Sequence, residues 1–310
     1  MQDKNLKGHI ALGIAYVIFG LNTPVSKEVL MHGEVSALAL TFYRFGGAGI
    51  FFLLISFFTK KEHVAHRDIG WLFLASMFGI FINQASFVVG LSLTSPIDAS
   101  VITTIVPILT MVLAAFFLKE PITWKKVTGV LIGASGALLL VFSSNTSVHE
   151  NASIEGNLLC MLGALSFAIY LTAFKKLINR YSALTLMKWM FLFAALCSLP
   201  LCWRDIVAVD YAGMPIAIYL RILFVIAFAT FISYLLIPIG QKLLRPTIVS
   251  MYNYLQPLVS SLLAVALGMD MFGWTKGIAT ILVFLGVYIV TQSKSRTQME
   301  QKNGMSKKEQ

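Results

Sequence analysis

The chain has 310 residues, of which 57% are hydrophobic and only 12% charged, and its formal net charge is +10. Soluble domains carry about 25% charged residues, so this composition excludes a water-soluble globule and a disordered chain. The basic residues lie in short clusters between apolar runs, which is typical of a cytoplasmic membrane surface. We therefore expect a multi-pass membrane protein whose partner is the lipid bilayer and not nucleic acid.

The first half of the chain predicts five membrane-spanning helices. A span needs about 20 mainly apolar residues, and five segments meet that length with at most one charge. The second of them contains Arg44, and the others are free of Asp, Glu, Lys and Arg. In chain order the segments are 8–26, 36–58, 69–97, 99–118 and 127–149.

The second half predicts five more spans, at 156–174, 184–203, 222–241, 246–269 and 277–293, with Lys188 inside the second of these. An even number of spans puts both termini on one side of the membrane. If that side is the cytoplasm, 18 of the 24 Lys and Arg residues fall in inner segments and 4 in outer ones. This bias follows the rule that basic loops stay inside. It predicts cytoplasmic termini and a polar cytoplasmic tail at 293–310.

An internal repeat divides the chain into two similar parts. An offset of 150 positions places the fourth and fifth predicted spans on the ninth and tenth without a gap. Ten residues match there: Gly90/Gly240, Leu93/Leu243, Pro96/Pro246, Ser100/Ser250, Pro107/Pro257, Leu113/Leu263, Ala114/Ala264, Trp124/Trp274, Lys126/Lys276 and Gly136/Gly286.

The repeat unit is five helices long, at 1–145 and 146–292. Because five is odd, the second copy enters the membrane from the opposite side. The predicted fold is an all-α membrane protein of ten transmembrane helices, arranged as two inverted five-helix repeats. Such halves rock against each other around a substrate site at their interface.

The first half of the chain contains a series of short motifs: Gly90-Leu-Ser-Leu-Thr-Ser-Pro96, Ala99, Ile105-Val-Pro107, Leu118-Lys-Glu-Pro121, Gly129, and Gly133 to Gly136. Together they resemble the repeated EamA-type domain of the drug/metabolite transporter superfamily. Phe19-Gly-Leu-Asn-Thr-Pro-Val-Ser-Lys27 resembles the first helix of that domain and Tyr43-Arg44-Phe45 the second. The second copy departs from the pattern, because Met269-Asp270-Met271 stands where the first copy has Lys119-Glu120-Pro121.

The resemblance covers positions 8 to 291. It implies a multi-pass transporter of the bacterial inner membrane that exports amino acids, other metabolites or toxic compounds. Its partner is then a small-molecule substrate, and the protein is a monomer or a homodimer. The resemblance implies no cofactor.

Polar side chains inside lipid are expensive and are therefore functional candidates. Arg44 either attracts a substrate carboxylate or forms an ion pair that fixes the fold. Lys27 lies near the outer end of the first span, four residues after Thr23, so one helix face carries both and is a candidate cavity wall. Other polar candidates lie at membrane depth and line a cavity or join packed helices: Asn22, Thr23, Asn83, Gln84, Thr103, Asn253 and Gln256.

Two prolines and four aromatic residues complete the candidate substrate-binding set. Pro107 and Pro257 lie at matching depth in matching helices, and each removes a backbone donor. Tyr43, Tyr170, Trp189 and Tyr234 lie deep enough to form an apolar wall with a polar edge. Packing explains each ring equally well.

The alternatives come from two classes. An intramembrane enzyme needs an aligned nucleophile and base, paired Asp residues or a metal site, and the predicted spans contain none of these. A proton-coupled multidrug exporter needs a carboxylate at membrane depth, whereas Glu28, Asp98, Glu120 and Asp270 lie at span ends. The sequence therefore favours export of amino acids or related carboxylate or zwitterionic solutes by alternating access.

Overall fold

The architecture is taken from a computed structural model that describes residues 2–94, 99, 102–143, 153–266 and 273–293. Most of these residues are helical, and they contain no β-strand. Of the predicted tail at 293–310, the structure describes only Ser293, and residues 144–152 between the two predicted repeats also lie outside the described residues.

In the first half of the chain, five helices have their bounds within the described residues. They are α1 (Gln2–Met31), α2 (Ala37–Phe57), α3 (His66–Leu93), α4 (Val106–Leu118) and α5 (Trp124–Ser143). The interior of α3 changes to π-helix at Met77–Phe81, between the α-helical segments His66–Ser76 and Ile82–Leu93.

The second half contains α6 (Ile154–Ala173), a short α7 (Lys175–Arg180), α8 (Ala183–Val207), α9 (Ile216–Leu243), α10 (246–266) and α11 (Trp274–Thr291). A π-helical segment, Val225–Ile232, interrupts α9 in the same relative place as in α3. Within α10, a 3₁₀ turn at Tyr252–Tyr254 separates Pro246–Met251 from Leu255–Ala266.

Six of the described helices are long and apolar enough to cross a membrane. They are α1, α2, α3, α6, α8 and α9, and they coincide with six of the predicted spans. Helix α4 and the segment Gly277–Thr291 are apolar but shorter. The prediction of a helical membrane protein is thereby confirmed, and the count of ten spans stays a prediction.

Helices pack in matched pairs. Helix α2 packs on α8, and α5 packs on α11. In the first half of the chain, α3 and α4 both pack on α6, the first helix of the second half. Correspondingly, α9 and α10 of the second half both pack on α1, the first helix of the first half. The packing therefore repeats between the two halves of the chain.

Glycines allow the closest of these contacts. A methyl group at Gly90 in α3 would collide with Cys160 of α6, and one at Gly240 in α9 would collide with Leu12 of α1. The two glycines are 150 positions apart, and Leu12 and Cys160 are 148 apart. The repeat seen in the sequence is thus also a repeat of contacts between helices.

Candidate functional site

A cavity lies where helices from both halves of the chain meet. The volume of this cavity is about 130 Å³. Helices α1, α2, α3, α6, α9 and α10 contribute side chains to its wall, and so do Thr103 and Val106 at the start of α4.

Eight of the fifteen predicted site residues line this cavity: Asn22, Arg44, Asn83, Gln84, Thr103, Tyr234, Asn253 and Gln256. They lie on six helix segments that are distant in sequence. The positions singled out for polarity at membrane depth therefore converge on one space.

Arg44 is the one charged residue among the described residues that line the cavity. Its side chain is 9% exposed, and its Nε donates a hydrogen bond to Thr230 Oγ1 at 3.1 Å. Thr230 lies in the π-helical segment of α9 and donates in turn to the Val225 carbonyl at 2.8 Å. The Nη groups of Arg44 make no hydrogen bond with a described residue. The guanidinium is therefore anchored at one edge only.

Most of the cavity amides are already engaged within the protein. Gln256 Nε2 donates to Asn253 Oδ1 at 3.2 Å, and Asn253 Nδ2 donates to the Ser250 carbonyl at 2.8 Å. Asn83 Nδ2 donates to the Gly163 carbonyl at 3.0 Å. These bonds fix the orientation of each amide and leave part of its hydrogen-bonding capacity facing the cavity.

Aromatic rings form one wall of the cavity. The rings of Tyr16 and Phe19 meet edge to face at 5.5 Å, and those of Phe19 and Tyr234 meet at 5.8 Å. Such rings give an apolar surface for the carbon skeleton of a solute, while the tyrosine hydroxyls add polar contacts.

The other predicted residues lie elsewhere. Tyr43 meets Tyr211 through their hydroxyls at 2.7 Å, and Tyr170 donates to Gln241 Oε1 at 3.2 Å. Trp189 packs on Phe193. Neither Pro107 nor Pro257 lines the cavity. The side chains of Thr23 and Lys27 lie outside what the structure describes.

Sequence reasoning missed the mainly apolar part of the wall. It consists of Tyr16, Phe19, Phe87, Val88, Val106, Cys160, Ala164, Phe167 and Ile237. In α6, Cys160, Ala164 and Phe167 lie at i, i+4 and i+7, a spacing that places them on one face. Apolar residues at this spacing also describe ordinary packing, so the sequence contained no signal that separates the two.

Ionic and polar contacts occur on the side of the protein where α1 begins. His9 Nδ1 lies 2.7 Å from the Tyr252 hydroxyl, and Lys175 Nζ donates to the Leu244 carbonyl at 3.0 Å. Burial lowers the pKa of the Lys175 amine to about 8, against the opposing effect of the Glu120 carboxylate. A buried pair joins Lys126 Nζ to Glu120 Oε2 at 2.6 Å.

At the same end, the loop before α3 is tied to the second half of the chain. Arg180 forms an ion pair with Asp68, and Tyr181 donates to the same carboxylate at 2.6 Å. The bond to Asp68 raises the pKa of the Arg180 guanidinium. Ser182 donates to Glu62 from both its backbone and its hydroxyl.

On the opposite side, Arg221 pairs with Glu28 at 2.6 Å, and Ser36 donates to Asp205 at 2.6 Å. Contacts between the two halves therefore occur on both sides of the cavity. Among the described residues, no group of three or more His, Cys, Asp or Glu side chains is placed to hold a metal ion.

Comparison with known proteins gives one consistent result. The profile of the EamA-like transporter family matches residues 6–142 and again residues 154–292. The uncharacterized transporter YyaM of Bacillus subtilis is 27% identical over 90% of this chain and 93% of its own. An S-adenosylmethionine uptake transporter of Rickettsia prowazekii is 25% identical over 81% of this chain and 83% of its own. A protein crystal structure superposes with a TM-score of 0.75 at 18% identity, covering 94% and 97% of the two chains.

Proposed function

Because the chain belongs to the EamA-like transporter family, we propose that its cavity binds a small carboxylate-bearing solute and carries it across the membrane by alternating access. The protein is a multi-pass membrane transporter and not an enzyme. In a bacterium such a protein lies in the plasma membrane. The proposed solute is an amino acid or a related zwitterion.

One observation carries the proposal, namely the buried charge of Arg44 in the cavity wall. A cation removed from water is unfavourable unless an anion or several hydrogen bonds compensate it. Among the described residues, Nε of Arg44 alone is engaged, through Thr230. The described lining residues include no Asp or Glu. A solute carboxylate supplies the missing negative charge, and the two Nη groups match its geometry.

The proposed mechanism uses ten spans in two inverted halves with both termini in the cytoplasm. Its support is the matched packing of helices, the offset of 150 between Gly90 and Gly240, and the basic inner segments. Inverted halves exchange conformations when they rock, so a cavity open to one side becomes open to the other. The remaining candidate contacts, including Asn22, Asn83 and Asn253, would hold the solute during this exchange.

A proton-coupled multidrug exporter is the second candidate. It exchanges a proton for a cation at a carboxylate within the membrane. The charge at the cavity has the opposite sign, so the carboxylate proposal is favoured.

The direction of transport is a separate part of the proposal. We propose export, as the resemblance to the superfamily implies. Three Rickettsia relatives are named for uptake of S-adenosylmethionine, and uptake of such a zwitterion is the competing direction. The two directions place the same chemical demands on the cavity.

The experiment is transport by the purified protein in liposomes. Vesicles loaded with unlabelled amino acid are diluted into labelled amino acid, and counterflow is recorded for a panel of amino acids, S-adenosylmethionine and lipophilic cations. The proposal predicts counterflow of carboxylate solutes and none of the cations, with protein-free vesicles as the control. Cation flux driven by a pH gradient, without carboxylate flux, would support the drug exporter instead.

A further inference from the structure

Gln84 is the cavity residue whose hydrogen bonds the protein leaves unmade. It lies in α3, just after the π-helical segment, and its side chain is 5% exposed. Both Oε1 and Nε2 of its amide are buried without a hydrogen-bond partner among the described residues. Buried amides in native proteins nearly always find partners, so an amide with two free atoms in a cavity wall points to a ligand.

The neighbouring amides show that this is particular to Gln84. Asn22 accepts from the Ser26 hydroxyl at 3.1 Å. Asn83 donates to a backbone carbonyl, and Asn253 and Gln256 bond to each other. All four line the same cavity and have a partner within the chain, whereas Gln84 has none in the part of the chain that the structure describes.

We propose that Gln84 recognises an amide-like edge of the transported solute, that is, a hydrogen-bond acceptor and a donor side by side in one plane. Nε2 of Gln84 donates to that acceptor, and Oε1 accepts from that donor. Both bonds are made only when a solute is bound. This inference rests on the proposed function, because the same solute carries the carboxylate that Arg44 attracts.

The solute therefore bears a carboxylate and an amide-like edge. Two kinds of molecule have this chemistry. One is an amino acid with a carboxamide side chain, asparagine or glutamine. The other is a zwitterion that carries a nucleobase, as S-adenosylmethionine does. A site built around paired hydrogen bonds rejects apolar analogues strongly, because the analogue leaves its buried polar atoms unpaired.

The test uses ligand pairs in which one member has this edge and the other lacks it. Binding to the purified full-length protein is measured by competition for asparagine against leucine, its near-isostere, and for S-adenosylmethionine against methionine, which lacks the base. We expect the wild type to bind at least one edge-bearing ligand about 10- to 100-fold more tightly than its partner, the range for two buried hydrogen bonds. The pair that shows the preference identifies the source of the edge.

The variants locate the preference at Gln84. Gln84→Met keeps length and volume but removes both polar atoms, so it should reduce the preference to less than about 3-fold while leucine or methionine binding changes little. The matched control is Gln241→Met. Gln241 is a buried glutamine that bonds to Tyr170 and does not line the cavity, so its variant should retain the preference.

Several results would overturn the inference. One is a wild type that shows no preference in either pair, and another is a Gln84→Met protein that keeps the preference. If Gln84→Met does not fold, two measurements still test the inference. One is the wild-type comparison of the ligand pairs, and the other is the same comparison with Gln84→Glu, which keeps an acceptor but removes the amide donor. A wild type that transports no carboxylate solute refutes the proposed function itself, whereas carboxylate transport without edge preference refutes only this inference.

Discussion

Replacing Arg44 by methionine should remove the carboxylate preference of the cavity. The substitution keeps an unbranched side chain in α2 and deletes the guanidinium. Because Nε is engaged by Thr230, the loss falls on bonds from the two Nη groups to the solute. Charge-assisted hydrogen bonds contribute about 1.5–3 kcal/mol each. Counting the loss of one such bond, we expect solute binding to weaken by about 2–3 kcal/mol, or about 30- to 150-fold in Kd.

The assay compares an amino acid with its decarboxylated amine, both measured by competition on the purified protein. Wild type should prefer the amino acid, and Arg44→Met should bind the two within about 3-fold of each other. Lys188→Met is the matched control, because Lys188 is also a basic residue within a helix, stacked on Trp189 at 5.8 Å and remote from the cavity wall. If Arg44→Met weakened the amine as much as the amino acid, or if Lys188→Met had the same effect, the carboxylate argument would be refuted.

Three further predictions concern stability and are measured by unfolding in detergent. Gly286→Ala should lower the free energy of unfolding by about 1–3 kcal/mol, because the new methyl group would come within 2.5 Å of the backbone of α5. The control Gly277→Ala faces open space and should not destabilise the protein. Equal effects of the two substitutions would contradict the close packing at Gly286. Lys175 has a pKa of about 8 in the folded protein and 10.5 as a free side chain. Between these pH values the unfolded state binds more protons, so the free energy of unfolding should rise with pH there. Lys175→Met should abolish that rise, and an unchanged slope would contradict the lowered pKa of Lys175. Lys126→Met should lower the free energy of unfolding by about 3 kcal/mol, because it leaves the Glu120 carboxylate without its partner. Adding Glu120→Gln should restore most of the lost stability. Strictly additive losses from the two substitutions would speak against an interaction between Lys126 and Glu120.

The positions of the helices could be predicted closely, because charges mark where a chain leaves the membrane. The charge-free run 156–174 corresponds to α6, and the run 222–241 lies within α9. The short helix Lys175–Arg180 was expected only as part of a basic loop, because a polar segment of six residues is too short to show a helical pattern of apolar residues. The π-helical segments in α3 and α9 were also not foreseen, because they depend on contacts between helices rather than on composition.

The site was predictable where a polar group has no alternative environment. Arg44 cannot face lipid cheaply, and it lies in the cavity wall as expected for an inward-facing charge. Aromatic residues pack equally well against lipid, against other helices or around a solute. For that reason Tyr234 lines the cavity while Tyr170 and Trp189 do not, although all three were equally strong candidates. That Gln84 lacks a partner could not be predicted, because the engagement of the other cavity amides depends on the tertiary structure.

The repeat explains where the cavity lies but not what it binds. Many lining residues occur at equivalent positions in the two halves, offset by 148 or 150: Tyr16/Ala164, Phe19/Phe167, Gln84/Tyr234, Phe87/Ile237, Thr103/Asn253 and Val106/Gln256. Only one of these pairs is identical, whereas Gly90 and Gly240, at equivalent helix contacts, are both glycine. The equivalents of Arg44 at these offsets are Leu192 and Ala194, and neither lines the cavity. A symmetric scaffold thus encloses an asymmetric set of side chains, so a solute with a carboxylate at one end and an amide-like edge at the other has a single favoured orientation.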